Sequence, residues 1–273
     1  MKKISVISTT HNERENIIAC ILNVRQQKKV IIEHIIVDDF STDDTVEIVK
    51  NFIREPINSS PNYQLKLIRG TTKGRSYALN QGLSNASYDL VCILDADDEW
   101  QERKLEIQSY VIERLNIAVL GTNLSFKKSA LFQFEENFSE PFILSRVKTI
   151  GDRILLNNKI AHSSVMLDRK KLNNLLIYPI RNSQIDYGLW LNLYSHNVAL
   201  YKLDLALTYR KIGVNQSFES KRHLRYTYNS VKLQYKYILK TSKKKHYLLI
   251  LFLRMLWGTI PQKIRIYLHL LWE

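Results

Sequence analysis

Val91-Cys92-Ile93-Leu94-Asp95-Ala96-Asp97-Asp98-Glu99-Trp100 is an apolar run of strand character that ends in three carboxylates within four residues. Like charges this close repel, so the cluster gains from a bound cation. Carboxylate oxygens are the ligands that Mg²⁺ and Mn²⁺ prefer, and Mg²⁺ is usually shared between a few carboxylates and substrate phosphates. The stretch points to a metal–diphosphate site at the carboxyl end of a strand. It equally suits an acidic loop in which Asp97 or Asp98 caps a helix starting near Trp100. The neighbouring sequence decides between them.

Outward from this run, the chain alternates strand and helix signals up to about Leu120. Ile4–Ile7, Ile31–Val37, Tyr63–Ile68, Tyr88–Leu94 and Ile117–Leu120 read as strands. Glu13–Gln27, Asp43–Ile53, Gly74–Asn85 and Gln101–Leu115 carry apolar residues at helical spacing. This alternation predicts a mostly parallel, Rossmann-like sheet flanked by helices. In such sheets ligands bind beyond the carboxyl ends of the strands. Three polar clusters fall there: Thr9-Thr10-His11-Asn12-Glu13, Asp38 through Thr45, and Asp95-Ala96-Asp97-Asp98. No Gly-x-Gly-x-x-Gly follows the first strand and no Walker-type lysine loop exists, which argues against a dinucleotide fold or a P-loop enzyme. Gly121–Pro141, with Phe126, Phe132, Phe134 and Phe138 among charges, has no clean period and reads as irregular. Further on, Ser163–Leu167, Val198–Leu203 and Leu205–Tyr209 suggest strands, and Ile185–Tyr194 a short helix.

Across its 273 residues the chain is 45% hydrophobic, ample for a large core, so one large domain or a domain with an appendage is expected. The formal charge of +14 is uneven: Glu219–Glu273 holds 12 Lys/Arg and 2 acids, a net +10, leaving +4 for the first 218 residues. Such a tail suits anionic lipid headgroups, or a solvated helix face. Nucleic acid is the weaker partner, because zinc-finger, helix-turn-helix and RNA-recognition signatures are missing. Cys20 and Cys92 lie in apolar, periodic segments and read as buried thiols in a reducing, cytoplasmic setting. The opening apolar stretch stops at Ser8, too soon for a cleavable signal.

Taken in order, these clusters resemble the family 2 glycosyltransferases, inverting enzymes of GT-A fold, from about Lys3 to Ser217. Thr9-Thr10-His11-Asn12-Glu13 matches the family's opening turn, and Asp38-Asp39-Phe40-Ser41-Thr42-Asp43 its Asp-Asp-Gly-Ser-Thr-Asp. Gly74, Ser76 and Asn80-Gln81-Gly82 precede the fourth strand, and Asp95-Ala96-Asp97 is the Asp-x-Asp pair. Ile185-Asp186-Tyr187-Gly188-Leu189-Trp190 and Tyr209-Arg210 complete the set. The resemblance implies a nucleotide diphospho-sugar donor, most simply a UDP-sugar. Thr9, His11, Glu13, Asp38, Asp39, Gly74 and Asp95 would line the nucleotide, with Asp39 accepting from the base. Asp95 and Asp97 would hold Mn²⁺ or Mg²⁺, with Lys73 or Arg75 assisting. Asp186 would be the base that takes the acceptor hydroxyl's proton. For Asp38–Thr45 the alternative is a turn and helix N-cap through Ser41 or Asp43, and for Asp186 a helix cap. The chain departs from the family pattern at His11, Phe40, Ile185 and Ile212; glycine at position 40 would allow a tight turn. His162 lies beside Ser163-Ser164 on the acceptor side.

The tail contributes a separate element. Leu224, Tyr228, Val231, Tyr235 and Ile238 form an apolar seam, with Arg225, Lys232, Lys236 and Lys240 on other faces. Lys243-Lys244-Lys245, the apolar Tyr247–Trp257 and a last helix after Pro261 follow. Basic residues beside aromatics and leucines suit an interfacial anchor; packing on the catalytic domain or on a second subunit, in a homo-oligomer, is the alternative. Tyr247–Trp257 contains Arg254 and is too short for a confident membrane span. The expectation is a GT-A catalytic domain over 1–218 (a nucleotide-sugar half 1–120, an acceptor half 121–218) and a basic helical tail over 219–273. Its activity is transfer of a sugar to a glycan or lipid-linked acceptor in cell-surface polysaccharide or lipopolysaccharide synthesis, in the cytoplasm or on the inner face of the membrane. The competing readings are a sugar-phosphate nucleotidyltransferase, which would carry a Gly-rich basic loop after strand one, and a non-catalytic sugar-nucleotide binder.

Overall fold

The computed structural model describes residues 1–55, 60–133, 139–211, 223–241 and 246–259. The positions named above at Phe134, Phe138, Ile212, Ser217, Lys243–Lys245 and beyond Pro261 lie outside the described residues. Four parallel strands form the first half of the sheet: β1 (Lys2–Thr10), β2 (Val30–Asp38), β3 (Tyr63–Arg69) and β4 (Leu90–Ile93), in spatial order β3-β2-β1-β4. β1 and β2 are buried over most of their length, as strands covered on both faces must be. α1 (Ile17–Arg25) buries Ile17, Cys20, Ile21 and Val24, one face of a helix. α2 is Thr45–Arg54 and α3 is Arg75–Asn85. α3 lies close on β1: a Cβ at Gly82 would come within 2.5 Å of Ile7 Cγ2.

The sheet continues with strands of mixed direction. β5 (Asp98–Trp100) leads to α4 (Lys104–Arg114), then to β6 (Val119–Ser125). After α5 (Glu140–Ser145) come β7 (Val147–Thr149), a 3₁₀ turn at His162–Ser164, β8 (Met166–Asp168), α6 (Arg169–Leu172), α7 (Ile185–Ser195) and β9 (Tyr201–Arg210). β8 pairs antiparallel with β4 and with β6; β9 runs parallel to β6 and antiparallel to β5 and β7. This is a mixed sheet flanked by helices. Three details differ from the sequence reading. Gly121–Ser125 is strand rather than irregular, because Gly121 allows the close approach of Ile160, 2.9 Å from where its Cβ would stand. The two strands expected across 198–209 are one. The strand expected from Ser163 begins only at Met166, after the 3₁₀ turn.

The chain forms two compact units, Met1–Gly151 with Lys159–Lys211, and Asp152–Asn158 with the tail. In the tail unit, α8 (His223–Thr241) and α9 (Tyr247–Thr259) pack together. Gln234 Nε2 donates to Leu156 O at 2.6 Å and Arg254 Nη1 to the same oxygen at 2.7 Å. The face α8 buries is Thr227, Ser230, Leu233, Gln234, Tyr237 and Ile238, whereas Tyr228 and Tyr235 are exposed. The expected seam through Tyr228 and Tyr235 is therefore rotated: three polar residues, Thr227, Ser230 and Gln234, take inward places, and Gln234 finds a backbone acceptor there. No helix among the described residues is long and apolar enough to cross a membrane.

Candidate active site

β1, β2, β3 and β4 all end on one edge, and the polar clusters gather there. Thr10 closes β1 opposite Asp38, and Thr10 O accepts from Asp39 N at 2.7 Å. The two turns then lace together. His11 Nδ1 lies 2.7 Å from Asp39 O; Asn12 N donates to Ser41 Oγ at 3.0 Å, and Thr42 N to Asn12 Oδ1 at 2.8 Å. Glu13 N donates to Thr45 Oγ1 at 2.9 Å. Ser41 is thus spent on the facing turn and does not cap α2. The residue preceding α2 is Asp44, which makes no side-chain cap bond; Asp43 Oδ1 instead accepts from Thr45 N at 3.0 Å.

The paired aspartates of this turn have different surroundings. The Asp38 carboxylate is buried and occupied, accepting from Arg69 Nη1 at 2.9 Å and from Ser41 N at 3.3 Å. Asp39 reaches across instead, and its Oδ1 accepts from Gly74 N at 2.7 Å. Phe40 has φ of 60°, the left-handed region that glycine adopts freely and a bulky side chain adopts at a cost of roughly 1–2 kcal/mol. The turn keeps its glycine-type backbone although the residue is phenylalanine, and the ring is 44% exposed. It lies beside Gly70, where an added Cβ would stand 3.5 Å from Phe40 Cε2 and 2.8 Å from Asp38 O.

Asp95 lies two residues past the end of β4, and its carboxylate is engaged. Arg75 Nη2 pairs with its Oδ1 and also donates to His162 Nδ1 at 3.0 Å. That nitrogen must then be unprotonated, so Nε2–H of His162 faces Tyr178 Oη at 2.8 Å. Burial acts to raise the Asp95 carboxyl, but the Arg75 charge beside it holds it well below the usual carboxylate range. The loop is propped from beneath. Asp95 N donates to Ser163 Oγ, and Trp100 Nε1 to Ser163 O at 2.6 Å. Lys104, fully buried, sits 4.0 Å from the Trp100 ring centroid and donates to Gln108 Oε1 at 2.6 Å; burial lowers its ammonium to about 8.

Asp98 is no helix cap. It opens β5 opposite Arg210, and α4 starts only at Lys104. Its Oδ2 is buried without a partner; burial first, then the Asp95 charge, pushes its carboxyl up to about 7. Glu13 is raised as well, by burial and then by Asp97, Asp43 and Asp95. Asp97 itself is half-buried. No group of three or more His, Cys, Asp or Glu stands ready around one point among the described residues. The oxygen donors present still suit a small hard cation that completes its shell with phosphate and water oxygens: the Asp95 and Asp97 charges both reach Glu13 and Asp98, and Asp98 Oδ2 is a buried oxygen without a hydrogen-bond partner.

A cavity of about 430 Å³ brings the two ends of the sequence reading together. Gly74, Arg75, Asp95, His162, Arg181, Asp186 and Arg210 are among the residues lining it. Asp186 stands in the first turn of α7, after Gln184, which is left-handed at φ 54° and makes no side-chain cap bond. Asp186 therefore lies inside the first turn rather than at the cap position. Asp39 joins the cavity through Gly74, whereas Thr9, His11, Glu13, Asp38 and Asp97 are not part of its lining. Arg181 and Tyr178 carried no motif signal. They come from the irregular segment before α7, fixed to α3 by Asn80 and Ser76: Tyr178 N donates to Asn80 Oδ1 at 2.8 Å and Ser76 Oγ to Arg181 O at 3.1 Å. The two polar α3 positions were legible; their partners 98 and 105 residues away were not.

Comparison with known proteins gives a consistent family. The Glycosyl transferase family 2 profile matches residues 5–174. A putative teichuronic acid biosynthesis glycosyltransferase, TuaG of Bacillus subtilis, is 29% identical over 220 residues, 80% of this chain and 82% of that one. WfaP of Escherichia coli, a UDP-Glc:alpha-D-GlcNAc-diphosphoundecaprenol beta-1,3-glucosyltransferase, is 29% identical over 78% of both chains. Among solved structures, S. aureus TarS residues 1–349 in complex with UDP-GlcNAc superposes with a TM-score of 0.66 at 20% identity, covering 94% of this chain and 72% of that one. Mannosyltransferase PcManGT from Pyrobaculum calidifontis, in complex with GDP-Man and Mn²⁺, gives 0.65 at 18% identity, covering 92% and 68%. With a profile that spans well over half its length laid on a GT-A type sheet, this chain belongs to glycosyltransferase family 2.

Proposed function

We propose that the protein is a metal-assisted, inverting glycosyltransferase that moves a sugar from a UDP-sugar to a glycan or lipid-linked acceptor hydroxyl. The observation that carries this reading is the shared cavity: Asp186 and the Arg75–Asp95 pair line one space at the carboxyl edge of the sheet. The acceptor oxygen attacks the anomeric carbon from the face opposite the diphosphate, and Asp186 takes its proton as the new bond forms. The bond from the anomeric carbon to the diphosphate oxygen breaks, and negative charge collects on the leaving group. Arg75, Arg181 and Arg210 give the cavity the positive lining that this charge needs. Asp95 and Asp97 would hold Mn²⁺ or Mg²⁺, which when bound supplies further charge stabilisation to the diphosphate.

On the nucleotide side, Asp39 keeps one carboxylate oxygen on Gly74 N and has a second for the imide N–H of uracil. Thr9, His11 and Glu13 stand at the end of β1 and in the turn after it, on the same sheet edge, and Asp38 holds the facing turn through Arg69. Phe40 offers an exposed ring next to Asp39 on which a base can stack. Base–aromatic stacking is worth about 1–3 kcal/mol, so Phe40→Gly raises the donor KM by roughly five- to hundredfold. Its stability stays within about 1 kcal/mol of wild type, since the relieved left-handed strain offsets the added backbone entropy. An unchanged donor KM removes the ring as a base platform.

The acceptor side follows relatives named for teichuronic acid and diphosphoundecaprenol-linked glycan synthesis. A lipid-linked acceptor in cell-surface polysaccharide or lipopolysaccharide assembly, met at the inner face of the membrane, fits them best. A nucleotidyltransferase is disfavoured because the turn after β1 has no glycine and a single basic residue, Arg14. The reading is tested by a thermal-shift screen of nucleotide sugars with and without Mn²⁺. A cognate UDP-sugar at about a hundred times its Kd raises Tm by roughly 5–10 °C. The shift shrinks without the metal and in Asp97→Asn. No metal-dependent shift from any nucleotide sugar counts against both the donor and the metal.

A further inference from the structure

The tail unit exposes two helical faces of different chemistry. On α9, Leu249, Phe252, Leu253 and Leu256 are 64%, 59%, 55% and 49% exposed, whereas Leu251 is 3% exposed. Their i, i+3, i+4, i+7 spacing makes one stripe along the helix. Arg254 is the one charged residue of α9, and it is turned away from that stripe. Its guanidinium donates to Leu156 O at 2.7 Å and to Gln234 Oε1 at 3.4 Å. An apolar stripe stripped of its only charge marks a contact surface rather than a solvated face. On α8, Lys232, Lys236 and Lys240 are exposed alongside Tyr228, Tyr235 and Leu239.

Charge selects the occupant. From His223 to Thr259 the sequence holds eight Lys/Arg and no Asp or Glu. A second copy of the same surface would set the exposed Arg225, Lys232, Lys236 and Lys240 against their counterparts. Anionic headgroups would neutralise them, and tyrosines among lysines are suited to the headgroup level. α9, at 13 residues, is about 20 Å long, short of the roughly 30 Å hydrocarbon core. It suits lying in the interface rather than crossing it.

We propose that the exposed faces of α8 and α9 dock the protein on an anionic lipid bilayer. Leu249, Phe252, Leu253 and Leu256 enter the acyl boundary, while Lys232, Lys236 and Lys240 meet the headgroups. This surface is independent of which sugar or acceptor is used.

The test is flotation of the full chain with phosphatidylcholine vesicles and with vesicles containing about one third phosphatidylglycerol. Wild type floats with the anionic vesicles, and floats less at high salt. Replacing Leu249, Phe252, Leu253 and Leu256 together by Ser lowers the partition coefficient by at least about tenfold, with donor-induced thermal shift retained as proof of folding. Lys232, Lys236 and Lys240 to Gln removes the lipid-charge preference. A spin label at Leu253→Cys checks the same point without touching the rest of the stripe. Cys20 and Cys92 are buried with thiols pushed up to about 12, so they do not compete for the label. The label at 253 becomes accessible to oxygen and shielded from aqueous nickel on vesicle binding. A wild type that ignores anionic vesicles overturns the proposal. So does a label that stays aqueous, or a dimer that only the Ser variant dissociates while flotation is unchanged; the last result makes the stripe an interface between copies. Donor binding that survives any of these outcomes leaves the transferase reading standing.

Discussion

Asp186→Asn is expected to lower kcat by roughly 10²–10⁴, the span that a positioned general base contributes, with donor KM nearly unchanged. Asparagine keeps the shape and hydrogen-bonding reach of the side chain but cannot hold the acceptor's proton. The substitution sits in the first turn of α7, half-buried at the cavity wall, and is not at the cap position. Folding should therefore persist, with Tm within a few degrees of wild type. Single-turnover transfer with a saturating donor separates the step from product release. Transfer at the wild-type rate would exclude Asp186 as base. A lost donor shift would move it to the binding machinery instead.

Glu33→Gln is expected to cost on the order of 3 kcal/mol of folding stability at neutral pH. Glu33 lies in β2, five residues before Asp38, and its side chain is 1% exposed. Its carboxylate accepts from Lys66 Nζ at 2.5 Å, Ser5 Oγ at 2.6 Å, Ser87 N at 2.8 Å and Ser87 Oγ at 2.6 Å. Burial acts to raise the carboxyl, but Lys66, then Ser5 and Ser87, bring it down to about 2 from 4.5. A folded value below the unfolded one means stability that is present above about pH 4.5 and lost as pH falls toward 2. Urea unfolding at pH 7 and pH 3 reads this directly: the gap between wild type and variant narrows at the lower pH. A gap of equal size at both would show that the charge is not its source. Because Glu33 is away from the cavity, the variant keeps its donor shift at pH 7.

The legible part of this protein was its parallel half. β1 through β4 and the helices between them follow continuous apolar runs and 3.6-residue spacing, and both signals are local. The clusters after β1, β2 and β4 could be assigned to one edge because parallel strands share it. Three-residue strands such as β5 and β7 leave no period to read. They exist only because β9 offers them a partner. Asp98 shows the consequence. By sequence it reads as a helix cap, whereas pairing with Arg210 makes it a strand residue with a buried, unpartnered oxygen.

The sequence by itself determined the family, the GT-A sheet and the carboxylates at its edge, since backbone propensity, apolar period and motif order are properties of short stretches. The tertiary structure decided who meets whom. It joined Asp95 to Arg75 and His162, brought Arg181 and Asp186 to the same cavity, and gave Phe40 a glycine-type backbone. It also turned Arg254 inward and the leucines of α9 outward. Each of these is a long-range contact or a choice of face. Those depend on which groups find partners once the chain is packed, and no local pattern encodes them.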